Sequence, residues 1–314
     1  MAADHRTDNK HPTSGIRLWA PWHWPVWLGL AVLRLINLLP WRLQMAMGRA
    51  FGRFAGTLMR SRRRIVARNL ELCFPEWSAT ARQQLMQAHF SSLGAGLLEP
   101  GLAWWTPEHR LPPVTVSGRE HLDAAQGPGR GVILLSPHFT TLELSGRVIL
   151  NNMHGTMRPM YRRMDHPVLE HVFMHHRRRL YGVAIPRDRI RDLIRLLRRG
   201  ETVWYAPDQS YRGAQSAMVP FFGIEVPTNT ATARIAALTG AAVVPCCLQR
   251  LPDGYHLHIG PALEHFPGED EITATQRVNE IIEQQIRLCP EHYWWVHRRF
   301  KKRPKGYRNL YEEV

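Results

Sequence analysis

The chain has 314 residues, and its 41 Lys+Arg against 26 Asp+Glu give a formal net charge of +15. With 44% hydrophobic and 21% charged residues its composition is that of a folded domain, which excludes a disordered chain, a collagen-like repeat and a disulfide-stapled miniprotein. The basic excess predicts an anionic partner: nucleic acid, an anionic membrane surface, or an acidic protein or substrate.

The N-terminal part contains one candidate membrane segment. Residues 1–16 are polar and are expected to be loose, and Trp19 to Leu39 is a largely apolar run that opens with four tryptophans. A span needs about 20 residues, and tryptophan suits the lipid–water interface. We therefore expect a membrane helix over 17–40, either a single tilted span or a helix lying in the interface, with an ordinary core helix as the remaining interpretation. The arginines that follow predict that the rest of the chain is cytoplasmic.

The remainder divides into two regions. Residues 41–110 have the apolar spacing of helices, and residues 111–314 alternate strand and helix patterns, which indicates an α/β domain. The predicted strands cover 114–116, 131–136, 202–206, 241–248 and 293–296. The predicted helices of this domain cover 140–151, 187–199 and 272–288.

Several kinds of chemistry lack their sequence signature. The chain has no Gly-x-Ser-x-Gly elbow, no P-loop and no GxGxxG after a strand. Its four cysteines form no C-x-x-C pair, and the pairs His175-His176 and His256-x-His258 lie in charged or strand-like surroundings. We therefore expect no metal and no cofactor. Nucleic-acid binding is also disfavoured, because the aromatic residues are not interleaved with basic ones.

The most informative stretch runs from Ser136 to Leu144, where a buried strand leads into a helix. In open α/β sheets, ligands bind at that end of the strands. If His138 lies in the turn and Glu143 in the first helical turn, Glu143 can hydrogen-bond one ring nitrogen and the other nitrogen can act as a general base. The alternative is that Glu143 serves only a capping box with Thr140.

These residues resemble the motif of glycerolipid-type acyltransferases, and more closely the late acyltransferases of lipid A synthesis, the lauroyl-transferase type. The resemblance extends through ordered blocks of the chain: Arg68 to Glu76, His138-Phe139 to Leu144, Tyr161-Arg162 with Asp165 and Pro167, Gly200 to Asp208, Val219 to Phe222, Val243 to Pro245, and His297 to Lys301. It implies a mixed sheet flanked by helices, with an N-terminal membrane helix.

The resemblance also implies a reaction and a set of site residues. A fatty acyl chain would pass from acyl carrier protein to a hydroxyl on an acyl chain of a lipid A precursor of the Kdo-lipid IVA type, at the cytoplasmic side of the inner membrane. His138 would be the base and Glu143 its partner. Substrate-binding candidates are Arg162, Arg177, Arg179, Arg187 and Asp208. Another lipid acceptor, such as a lysophospholipid or an amino-acid lipid, and an inactive basic binding protein stay open as alternatives.

Overall fold

The computed structural model describes residues 18–127, 129–211, 213, 215–301, 303–304 and 306–312, so the expected loose segment 1–16 lies outside the described residues. The helices are α1 Trp24–Ile36, α2 Trp41–Leu58, α3 Arg60–Cys73, α4 Ala79–Trp105, α5 Arg119–Ala125, α6 Leu142–Asn151, α7 Pro167–Tyr181, α8 Ile190–Arg198, α9 Ala231–Thr239 and α10 Glu271–Leu288. The strands are β1 Val114–Ser117, β2 Val132–Leu135, β3 Met157–Tyr161, β4 Ile185–Pro186, β5 Thr202–Tyr205, β6 Ser216–Phe221, β7 Ile224–Asn229, β8 Ala242–Leu251 and β9 Gly254–Ile259.

Seven strands form a mixed sheet in the order β1-β9-β8-β2-β5-β3-β4, and β6 and β7 form a separate hairpin. β8, β2, β5, β3 and β4 are parallel, whereas β9 runs antiparallel to β8 and carries β1 alongside it. Because the five parallel strands end at one edge of the sheet, the segments after β2, β3, β4 and β5 meet there. We call this side the carboxyl edge.

Two hydrophobic cores cover the two faces of the sheet. One packs α3, α8, α9 and α10 against it and includes Leu193 and Ile282. The other packs α2, α5, α6 and α7 and includes Met45 and Tyr181. The long helix α4 contributes to both cores. The mixed sheet flanked by helices agrees with the sequence-based expectation.

The expectation of an N-terminal helix that spans the membrane is wrong. In the part of the chain that the structure describes, no helix is both long and apolar enough to cross a membrane. The segment is divided into a short 3₁₀ turn over Pro21–His23 and the 13-residue α1, which at 1.5 Å per residue is about 20 Å long against the ~30 Å of a bilayer core. A turn follows α1, where the carboxamide of Asn37 accepts a hydrogen bond from Thr106 at 3.0 Å.

Helix α2 lies very close to α4 because glycines line their contact. A Cβ atom added at Gly94 would lie 2.0 Å from the carbonyl oxygen of Gly48, and one added at Gly52 would lie 2.1 Å from that of Phe90. Only glycine permits this approach. With its glycine face on α4, α2 exposes an apolar face on its other side, formed by Leu43, Met47, Phe51, Phe54 and Leu58.

The expected strand over 293–296 is also wrong. Tyr293 makes only an isolated antiparallel bridge to Phe139, and the chain then turns. The composition of the aromatic run Tyr293-Trp294-Trp295 is typical of a strand. In the structure, however, the side chains of Tyr293 and Trp295 are buried beside the turn after β2. This segment therefore borders the carboxyl edge without joining the sheet.

Candidate active site

The turn between β2 and α6 carries His138 and is held by backbone hydrogen bonds from a distant segment. Thr140 N–H donates to the carbonyl of His292 at 2.8 Å, and Trp294 N–H donates to the carbonyl of His138 at 3.0 Å. Side chains add to this support, since the Thr140 hydroxyl lies 2.7 Å from that of Ser92 on α4. His138 therefore has a backbone position fixed before any substrate binds.

Asp208, three residues after β5, is the partner of His138. Its Oδ1 lies 2.5 Å from Nδ1 of the imidazole, and its Oδ2 accepts the backbone N–H of His138 at 3.1 Å. The carboxylate is 1% exposed, whereas the imidazole side chain is 27% exposed. Because β2 and β5 are neighbouring parallel strands, the residues that follow them come together at the carboxyl edge.

This pairing sets the charge preference of both groups. Burial alone would lower the pKa of His138, but the charge and hydrogen bonds of Asp208 outweigh it and raise that pKa above its ordinary value. Burial alone would raise the pKa of Asp208, and the contact with His138 lowers it instead. Asp208 therefore stays ionised, favours the tautomer with a proton on Nδ1 and stabilises imidazolium when it forms.

Nδ1 faces Asp208, so Nε2 is the nitrogen left for other chemistry. Among the residues that the structure describes, none is recorded in a hydrogen bond with Nε2 of His138. The partly exposed ring can therefore present an unshared lone pair to a hydroxyl brought to the carboxyl edge. The arrangement has the geometry of a general base held by a carboxylate.

Tyr293 and His297 complete the surroundings of Asp208. The phenol of Tyr293 is buried near the Asp208 carboxylate, and burial first and the charge of Asp208 second raise the pKa of Tyr293. His297 accepts the backbone N–H of Ser210 on Nε2 at 3.1 Å, and burial lowers its pKa to about 4. It is therefore neutral at pH 7. Sequence reasoning assigned neither residue a role.

Glu143 has a different partner from the one expected. It lies in the first turn of α6, where its carboxylate accepts a hydrogen bond from the guanidinium of Arg177, and the hydrogen bonds recorded for it go to that residue. Sequence analysis predicted that Glu143 would hydrogen-bond a ring nitrogen of His138. In the structure, Asp208 makes that contact, at Nδ1. The capping box is not formed either, because α6 begins at Leu142 and its N-cap, Thr141, makes no side-chain cap.

Arg177 is a buried member of this second pair. Its side chain and that of Glu143 are each 10% exposed, and its guanidinium lies 5.5 Å and 5.3 Å from the ring centres of Tyr161 and Phe173. Burial alone would lower the pKa of Arg177, and Glu143 raises it instead. The guanidinium is thus already occupied by a carboxylate and two aromatic faces.

A family described as bacterial lipid A biosynthesis acyltransferase matches residues 12–302 of the chain. The chain belongs to this family. It is 38% identical over 307 residues to the lipid A biosynthesis lauroyltransferase of Escherichia coli (strain K12), covering 96% of this chain and 99% of the relative. It is 39% identical over 298 residues to the palmitoleoyltransferase of the same organism, covering 93% and 95%, and 30% identical over 292 residues to its myristoyltransferase, covering 91% and 90%.

The three remaining arginine candidates of this acyltransferase lie in different places. Arg162 directly follows β3 at the carboxyl edge, is 63% exposed and pairs with Asp165 at 3.1 Å. Arg187 follows β4 at the same edge, where its backbone N–H donates to the carbonyl of Tyr161 at 2.9 Å. Arg179 is exposed in the last turn of α7. Burial lowers the pKa values of Arg147 and His176, and the positive charge of Arg179 adds to this lowering. The acyltransferase therefore brings Arg162 and Arg187, but not Arg179, to the edge that carries His138.

Proposed function

We propose that this acyltransferase moves a fatty acyl group from a thioester on acyl carrier protein to a hydroxyl of an acyl chain on a lipid A precursor of the Kdo-lipid IVA type. Family membership supports the lipid A acceptor, because the relatives include lauroyl-, palmitoleoyl- and myristoyltransferases of lipid A biosynthesis. The observation that carries the chemistry is the His138–Asp208 pair, with Nδ1 occupied and Nε2 left to the substrate.

His138 acts as the general base in this proposal. Its Nε2 takes the proton of the acceptor hydroxyl while the oxygen attacks the thioester carbonyl, and Asp208 stabilises the imidazolium that forms. The new C–O bond forms, the C–S bond breaks, and the proton passes from imidazolium to the departing sulfur. No covalent enzyme intermediate is needed, which fits the lack of a serine elbow in the sequence.

Glu143 is proposed to act through Arg177 as a positioning residue. The pair fixes the first turn of α6 against α7, next to the turn that holds His138. Arg162 and Arg187 are proposed to contact the anionic groups of the lipid or of the carrier, because both are exposed at the carboxyl edge. A planar guanidinium suits phosphate and carboxylate equally well.

We also propose that helices α1 and α2 bind the surface of an anionic membrane, which would place the enzyme at the cytoplasmic side of the inner membrane. Trp22 in the 3₁₀ turn before α1, and Trp24 and Leu28 of α1, are more than half exposed, as are Phe51 and Phe54 of α2. An apolar surface of this extent is unusual on a soluble monomer. The arginines beside it favour contact with anionic headgroups, and they are Arg42, Arg49, Arg53 and Arg60.

The experiment is acyl transfer by the purified protein, with carrier proteins loaded with different acyl chains and with the lipid A precursor as acceptor. Mass spectrometry of the product gives the chain added and the acceptor position. We expect transfer by the wild type and none by His138→Ala, with binding of His138→Ala to anionic vesicles unchanged. Transfer to a glycerol lipid but not to the lipid A precursor would contradict the proposed acceptor.

A further inference from the structure

Helix α8 carries a basic surface that the proposed reaction does not use. Arg191, Arg195, Arg198 and Arg199 surround Ile194 at an open hollow of 470 Å³ whose lining contains no acidic residue. The opposite face of the helix is apolar, and Leu193 and Leu197 are buried in the core beneath it. We call the four arginines and Ile194 the α8 patch.

The positive charge of the α8 patch is only partly neutralised within the protein. Asp192, the one acidic residue of α8, forms an ion pair with Arg189 at 2.6 Å and accepts a hydrogen bond from Arg195 at 3.0 Å. Arg198 donates to the carbonyl of Leu238 at 3.1 Å. For the exposed guanidinium groups of Arg191 and Arg199, no partner is recorded among the described residues. The guanidinium groups of Arg191 and Arg199 thus have no recorded carboxylate partner among the described residues.

The α8 patch begins beside the carboxyl edge. The backbone of Arg187 hydrogen-bonds the last residue of β3, and α8 starts three residues later at Ile190. A partner seated on α8 would therefore have its nearest side close to the segments that follow β3 and β4. A flexible arm attached to such a partner could reach the carboxyl edge without passing through the protein.

The α8 patch and the exposed apolar surface belong to opposite faces of the sheet. Leu193 and Leu197 of α8 lie in the first core, with α9 and α10. Helix α1 contacts α4 and α7, and α2 contributes Met45 to the second core. If α1 and α2 meet a lipid surface, the α8 patch is on the other side of the sheet, where a protein rather than a bilayer can approach.

We propose that the α8 patch is the docking surface for the acyl carrier protein, an acidic protein that brings the acyl thioester to His138. The inference rests on the proposed function, because it takes the donor from it. Unpaired arginines pair with carboxylates on the carrier, and Ile194 supplies an apolar contact at their centre. Such complementarity increases the rate of productive encounter and fixes the orientation of the partner more than it adds to affinity.

The test reverses charge at the two arginines that have no recorded partner. In Arg191→Glu/Arg199→Glu, we expect the Kd for acylated carrier, measured by fluorescence anisotropy, and the KM for it to rise about tenfold or more at low salt. The rise should shrink as salt is added, because exposed charges are screened. The rate with a small acyl thioester as donor should not change, since that donor needs no docking surface.

The control is Arg110→Glu. Arg110 is an exposed arginine just before β1, and β1 and β4 are the two outermost strands of the sheet, so Arg110 is far from α8. The control makes the same charge change as Arg191→Glu and should leave the carrier Kd unaltered. An unchanged carrier Kd in the double variant overturns the inference. A double variant that loses binding to anionic vesicles but keeps its carrier Kd also overturns it, because the patch is then a membrane contact. A wild type that binds carrier through the α8 patch but transfers no acyl group overturns the proposed function alone.

Discussion

Two buried acid–base pairs lie beside the turn after β2, and they differ in what their cations can do. His138 pairs with Asp208 and keeps 27% of its side chain exposed, whereas Arg177 pairs with Glu143 and both are 10% exposed. Imidazole gains and loses a proton near neutral pH, but guanidinium stays charged. Only the first pair can therefore transfer a proton, and the second can only hold structure or charge in place.

The two pairs also show how a sequence motif can be divided by the fold. His138 and Glu143 belong to one short motif, yet each takes its partner from another part of the chain, from the segment after β5 and from α7. We therefore propose that Asp208 tunes His138 as the base and that Glu143 supports the framework around it. The first three of the following predictions test that division.

The largest effect is expected at Asp208. Asp208→Asn keeps the side chain's size but removes the charge that stabilises imidazolium, so kcat should fall by roughly 10²–10⁴, the range for lost acid–base catalysis. Steady-state transfer assays measure kcat for Asp208→Asn, with the wild type and Glu143→Gln measured in parallel. If Glu143 orients the base instead, Glu143→Gln would show the greater fall in kcat and Asp208→Asn little change.

The second prediction concerns stability at the other pair. Arg177→Met leaves the Glu143 carboxylate buried without its partner, which costs roughly 3–5 kcal/mol of unfolding free energy for a buried ion pair. Chemical denaturation measures the loss. The double variant Glu143→Leu/Arg177→Met should recover much of it, because no unpaired charge remains. Equal losses in the single and double variants would argue against a direct coupling of the two residues.

The third prediction is the pH dependence of transfer. The base must be neutral, and Asp208 raises the pKa of His138 above its ordinary value of 6.5. The rate should therefore fall as the pH drops through that raised pKa. In Asp208→Asn only burial remains, which lowers the pKa, so the acid limb of the residual activity should move to lower pH. Glu143→Gln should leave the acid limb in place, and a shift there would contradict the division of roles.

Much of the framework was predictable from the sequence because its signals are local. The buried runs of β2, β5 and β8 are short apolar segments between turn residues, and α6, α8 and α10 have helical spacing. The carboxyl end of β2 follows from the same pattern. The position of His138 in the turn after β2 was therefore predictable.

The partners of the site residues were not predictable, because they depend on strand order and helix contacts. Asp208 meets His138 only because β5 lies beside β2, although 70 residues separate them. Tyr293 reaches Asp208 through a single bridge to Phe139 rather than a strand. A membrane-spanning helix was predicted from the length and the apolar and tryptophan content of one run of residues, which do not reveal where α1 ends or that Asn37 is hydrogen-bonded to Thr106.

The smallest effect is expected where an ion pair is exposed. The pair of Arg162 and Asp165 is 63% and 89% exposed, so Arg162→Gln should change the unfolding free energy by only about 0–1 kcal/mol. Its effect should appear in substrate binding, as a KM for the phosphorylated lipid acceptor raised several-fold with kcat little changed. The comparison that isolates this role uses an acceptor lacking the phosphate, for which wild type and variant should have the same KM. A similar rise in KM with both acceptors would remove phosphate as the ligand of Arg162.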